Sequence, residues 1–99
     1  MSRIILTITY EIDPQSREHY LDLAKRIKDH YLVDLKTNYS VFEQKGKANH
    51  FMEMFVCASQ EEFDKLEENQ TEKTEELLAE LQEYIKDGKM KYTTLIELV

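Results

Sequence analysis

Apolar spacing along this chain switches between a period of two and a period of about three and a half, and the order of those switches restricts the fold more than any other feature. Ile4, Leu6, Ile8, Tyr10 and Ile12 alternate with Ile5, Thr7, Thr9 and Glu11, the mark of a strand with two distinct faces. Asp13 and Pro14, the only proline, then match a helix cap followed by a residue whose missing N–H costs nothing in the first turn. Tyr20, Leu23, Ala24, Ile27 and Tyr31 recur at helical spacing, so an amphipathic helix is expected to end near Tyr31 or Leu32.

Beyond the link VDLKT, residues 38 to 45 and 50 to 58 both have strand character, and the polar turn between them contains Gly46 and Asn49. Ser59 with Glu62 three residues on is a capping-box pattern, which predicts a helix anchored by Phe63 and Leu66. ENQTEKTEE has no apolar anchor and predicts a break or joint, with Asn69 or Thr71 as a fresh cap. Leu77, Leu78, Leu81, Tyr84 and Ile85 restore the stripe, Gly88 suits the position after a helix that takes positive φ, and residues 90 to 98 close the chain as a strand.

The order is therefore β-α-β-β-α-β. It predicts an α+β, ferredoxin-like domain spanning residues 1–99, with a four-stranded antiparallel sheet and helices on one face. The opposite face would still carry large apolar side chains, so a homodimer through the sheet face, with a cavity between the sheets, is the expected assembly.

Composition narrows the function. Hydrophobic residues at 41% with 33% charged describe a globular chain without a membrane-spanning run. The start, MSRIILTITYEI, has one basic residue and strand period rather than the plan of a leader, and a cytoplasmic location is expected. Between Gln60 and Asp87 stand 11 acids against three bases within a net charge of −7, which argues against nucleic acid or an anionic membrane as partner. The single cysteine, Cys57, cannot form an internal disulfide, and no clustered Cys/His spacing suggests a metal.

FMEMFVCASQEEFDKLEENQ, with YEIDPQSREHYLDLAKRI before it and MKYTTLIEL at the end, resembles the antibiotic biosynthesis monooxygenase family of dimeric α/β barrels. The resemblance covers nearly the whole chain and implies a ferredoxin-like fold dimerised through its sheets, with a pocket in each subunit. It also implies oxidation of an aromatic substrate without a bound cofactor, the substrate itself supplying electrons to oxygen. Pockets of that family commonly present an Asn, a Trp and a His or Tyr. The resemblance sets Glu53 near the Asn position, Cys57 at the Trp and Leu66 near the His, so no haem ligand is supplied at Leu66 and no cofactor is expected.

Glu53 is the feature that most needs explaining, a lone acid inside the most apolar run of the chain. Strand alternation puts Phe51, Glu53, Phe55 and Cys57 on one face and Met52, Met54 and Val56 on the other. If the Met and Val side packs under the helices, Glu53 faces the cavity between the sheets, and a charged partner or its absence would tune it as a base or a hydrogen-bond acceptor. The same acid could instead fix register by pairing across strands. Tyr10, Tyr39, His50, Phe51, Phe55 and Cys57 are the candidate ligand-binding residues, with Tyr92 a further candidate for the cavity wall and Glu53 the candidate base. His19 and His30, eleven apart on the first helix and flanked by exposed charges, are weak metal candidates. Two functions are open: an aromatic or apolar small-molecule binder that is a cofactor-independent monooxygenase, or a non-catalytic ligand-binding or assembly module on the same fold.

Overall fold

The computed structural model describes residues 2–99. Its elements run β1 (Ile4–Ile12), α1 (Arg17–Asp29), β2 (Asn38–Glu43), β3 (His50–Cys57), α2 (Gln60–Glu68), α3 (Glu72–Tyr84) and β4 (Ile85–Ile96). The four strands form one sheet in the order β2-β3-β1-β4, every neighbouring pair antiparallel. This is the expected α+β, ferredoxin-like plan, with the helices on one face.

The helical stripe lands as the spacing requires: Tyr20, Leu23, Ile27 and Tyr31 are buried, and Leu77, Leu81 and Ile85 join them. Each such side chain contributes on the order of 1.5–3 kcal/mol by leaving water. A bidentate Arg26–Glu80 pair, at 2.6 and 3.0 Å, ties α1 to α3 at the surface.

Asp13 makes no side-chain cap; Pro14–Ser16 form a single 3₁₀ turn that leads into α1. Ser59 does cap α2 through Glu62 N–H at 3.3 Å. The break falls at Asn69 and Gln70, and Thr71 caps α3 in a reciprocal box with Thr74. Phe63 and Leu66 are only half-buried, so α2 is a surface helix.

Strands β2 and β3 end one or two residues early and β4 ends at Ile96, and two further boundaries differ from expectation. α1 ends at Asp29 and opens into one wider turn, His30–Asp34, in which Leu35 N–H reaches the His30 carbonyl at 3.0 Å. β4 begins at Ile85, five residues before the expected start, so Gly88 does not follow the helix as its cap. It sits instead in a bulge, where the two-residue step from Tyr10 to Ile12 faces a five-residue step from Met90 back to Ile85. Asp87 and Gly88 both take left-handed backbone there, φ +59° and +63°, which lets the extra residues loop out without breaking the pairing on either side.

Candidate functional site

The face of β3 that meets the helices is the opposite of the one assumed for a cavity between sheets. Phe51, Glu53, Phe55 and Cys57 are all buried beneath the helices, in register with Tyr10, Ile8, Leu6 and Ile4 of β1. Met52, Met54 and Val56 lie on the open face with Ile5, Thr7 and Thr9. Both sides of β3 are apolar enough to serve, and the choice follows bulk: the aromatic side chains of β3 fill the space above which Tyr20 and Tyr31 descend. Phe55, at 2% exposure, and Cys57 are therefore not available to a second copy across the open sheet face.

Glu53 is 1% exposed. Its Oε1 accepts a hydrogen bond from the Tyr39 hydroxyl at 2.7 Å, and its Oε2 has no hydrogen-bond partner among the described residues. Nearby, the Tyr10 and Tyr20 hydroxyls share a hydrogen bond of 2.8 Å. Burial pushes the Glu53 carboxyl above the usual carboxylate range, with the Tyr39 and Tyr10 hydroxyls pulling the other way. An isolated carboxylate in a dry layer is costly, and burial therefore favours the protonated form. The tyrosines respond in turn: burial, then the Glu53 charge, raises Tyr10 and Tyr39, and Tyr31 is pushed up to about 12.

Rings occupy the space around this acid. Tyr31 stacks on Tyr39 at 5.0 Å and meets Phe55 edge-on at 4.8 Å, while Tyr20 lies 4.3 Å from Phe51. Cys57 and Leu66 border a small recess of about 160 Å³ beside Leu35 and Val56. Burial, then the Glu62 charge, pushes the Cys57 thiol up, the reverse of what a nucleophile needs.

An opening larger than this recess lies elsewhere. A groove of about 530 Å³ lies at the hairpin end of the sheet, and Tyr10, His50 and Phe51 line it, three of the six residues named from sequence. Tyr39, Phe55, Cys57 and the acid Glu53 do not line this groove. Tyr92, 62% exposed on β4, lies outside its wall.

Pairing shows what sequence reasoning missed: Phe42 opposes Met52, Met52 opposes Thr9, and Thr9 opposes Lys91, one row of side chains across all four strands on the open face. Phe42 and Met52 are 52% and 36% exposed and form an apolar part of the groove wall. Their signal was present in the hairpin, where an aromatic and a thioether face each other once the turn length is fixed.

The groove's end is braced by Arg17, which donates to both Glu43 oxygens at 2.6 and 2.9 Å and to Asn49 Oδ1 at 2.9 Å. That guanidinium, with the Asn49 N–H at 2.8 Å, holds the Glu43 carboxyl down at about 2.

Histidine placement also differs from expectation. His30 has exposed charges beside it in sequence but is itself 2% exposed, with Nδ1 2.9 Å from Asp34 Oδ2 and Nε2 2.6 Å from the Thr74 hydroxyl. Lys73 completes the chain at 2.8 Å from Asp34, so this imidazole pins the wide turn after α1 to the cap of α3. His19 stacks on Tyr84 at 6.0 Å. Among the described residues, no group of three or more His, Cys, Asp or Glu could hold a metal ion, and no helix is long and apolar enough to cross a membrane.

No family model and no curated protein matches this sequence. Solved structures do resemble it. A conserved protein of unknown function from Bacteroides thetaiotaomicron is 21% identical, with a TM-score of 0.76 over 96% of this chain and 97% of that one. SnoaB, a cofactor-independent oxygenase from Streptomyces nogalater, is 7% identical, with a TM-score of 0.73 over 94% and 90%. An antibiotic biosynthesis monooxygenase is 15% identical, with a TM-score of 0.71 over 100% and 98%. At such identities the likeness establishes architecture and not chemistry: the chain has the ferredoxin-like fold of the antibiotic biosynthesis monooxygenase-like proteins.

Proposed function

We propose that this protein binds an aromatic or apolar small molecule in the groove at the hairpin end of the sheet, and that it works as a homodimer joined through the open sheet face. The groove carries the reading: about 530 Å³ is the size of a small-molecule site, and Phe42, Met52, Phe51 and Tyr10 give it an apolar and aromatic lining. The half-buried Ile5, Met54 and Val56, with the exposed Leu95, lie on the rows away from the groove and supply an apolar surface for the second copy. Titrating naphthalene-2-methanol into isotopically labelled protein tests the binding. Saturable shifts confined to Thr9, Phe42, Met52 and their strand neighbours are expected, and the absence of any saturable shift would remove the proposal.

A second reading, cofactor-independent oxidation of a hydroxyaromatic substrate, is favoured by one observation: Glu53 is a buried acid with one oxygen free beside Tyr39 and the Tyr10–Tyr20 pair. Buried polar groups left without partners are rare and cluster where function tolerates their cost. Under this reading the Tyr31 and Tyr39 rings part to admit substrate, and ionised Glu53 takes the phenolic proton. Oxygen uptake with a hydroxynaphthalene, abolished by Glu53→Gln, is the expected result; uptake unchanged in that variant would assign the acid to packing alone.

A further inference from the structure

The charges around the groove do not cancel, and they point to the class of molecule it takes. Glu43 is matched by Arg17. Glu11 lies 3.5 Å from both Lys86 and His50. Lys89 and Lys91 line the same groove and have no ion-pair partner among the described residues. Two uncommitted ammonium groups therefore stand at one end of an apolar groove, in a chain whose net charge is −7.

We propose that the groove holds an amphiphilic monoanion, an aromatic or aliphatic body lying on Phe42 and Met52 with its carboxylate between Lys89 and Lys91. The proposal rests on the groove being a small-molecule site. Sheet register sets the geometry: Phe42, Met52, Thr9 and Lys91 follow one another across the strands. Three strand spacings separate the first from the last, roughly 14 Å at the backbone. Lys89 and Lys91 are two residues apart on β4, and both line the groove. The bulge at Asp87 and Gly88 delivers Lys89 to the groove's rim.

Lysine suits the task, because its long stem lies along apolar surface while its ammonium stays wet and meets a carboxylate as a point charge. The acidic surface of α2 and α3 lies on the other side of the sheet and repels the same anion, which leaves this end as the attractive one. Two cations are too few for a polyphosphate or nucleic acid, whose binding needs many phosphates neutralised together.

The test compares naphthalene-2-carboxylate with its neutral counterpart, naphthalene-2-methanol, by calorimetry and chemical-shift titration on the full chain. The carboxylate should bind about tenfold more tightly at low salt, the effect of two exposed charge contacts. That advantage should shrink as salt rises. The Lys89→Gln, Lys91→Gln double variant should bind the carboxylate and the alcohol alike, with unchanged melting temperature showing that it folds. Equal binding of the two probes to the native protein would overturn the anion proposal and leave the groove reading standing. Binding of neither overturns both, and if groove signals then shift only on dilution, a second copy is the occupant.

Discussion

Replacing Glu53 by Gln removes a carboxyl group sealed beneath the helices at 1% exposure, and the consequence should be read as a function of pH. Below about pH 4 the native side chain is largely neutral in folded and unfolded chains alike, so the difference in stability reports hydrogen bonding alone. Gln keeps an oxygen for the Tyr39 hydroxyl, 2.7 Å away in the native protein, but sets two amide donors where Oε2 has no partner. That exchange should cost the variant about 1–3 kcal/mol.

As pH rises past the ordinary carboxylate value of 4.5, the unfolded chain releases its proton while burial keeps it on the folded one. A raised acid pKa contributes stability that is whole below the unfolded value and is lost as pH climbs toward the folded value. The native protein therefore loses about 1.4 kcal/mol per pH unit through this residue, and the variant does not. Subtracting urea-unfolding free energies of native and variant protein across a pH series cancels the other carboxylates. The difference should move in favour of Gln from about pH 4.5 upward and level off once the folded value is passed. A flat difference from pH 4.5 to 8 would show that the acid ionises as easily inside the fold as outside, and the account of a proton held in a layer without a cation would be wrong.

A charge placed on either side of β3 should distinguish its faces: Phe55→Lys should unfold the chain, whereas Met54→Lys should leave a folded protein that light scattering finds at half the mass of the dimer we propose. Arg17→Met should flatten the acid limb of the stability curve. Native Glu43 gives stability that is present above about pH 4.5 and lost as pH falls toward 2, and the variant removes the cause of that depression. Gly88→Ala should cost about 1 kcal/mol in a thermal melt, since nothing lies within 4 Å of the added carbon but φ is +63°; an unchanged melting temperature would mean the bulge relaxes freely.

Periods of two and of about three and a half were enough to place the strands and helices and their order, because each element buries one stripe and exposes the other. The joint in the second helical region was legible too, since ENQTEKTEE offers no apolar anchor, and Thr71 was one of its two candidate caps. Element ends were less so. Gly88 fits a helix cap and a strand bulge equally well by residue type, and only the pairing of Tyr10 with Met90 and of Ile12 with Ile85 decides between them. His30 was hidden for a similar reason. Its sequence neighbours are charged and exposed, yet the wide turn after α1 rotates the ring inward to Asp34 and Thr74, 44 residues from the latter.

The site was the harder part, because β3 is apolar on both faces and alternation alone cannot choose which one the helices take. The deciding relation is the register with β1, whose alternation is unambiguous: Ile8 is buried, Ile8 opposes Glu53, and residues opposed across an antiparallel pair project to the same face. Once Ile4, Ile8 and Ile12 are assigned to the core, Glu53 must enter it. Tyr39 suits its position beside that acid, a residue that fills an apolar layer and still ends in a donor. The same relation sends Met52 to the open face beside Phe42 and Thr9, which leaves the groove on the side where no helix descends. Glu53 is thus on the helix side of β3, and the Met52 that lines the groove is on the other. Tyr10 and Phe51, which line the groove and touch Tyr20 at the edge of the buried ring cluster, are the residues through which either can feel the other.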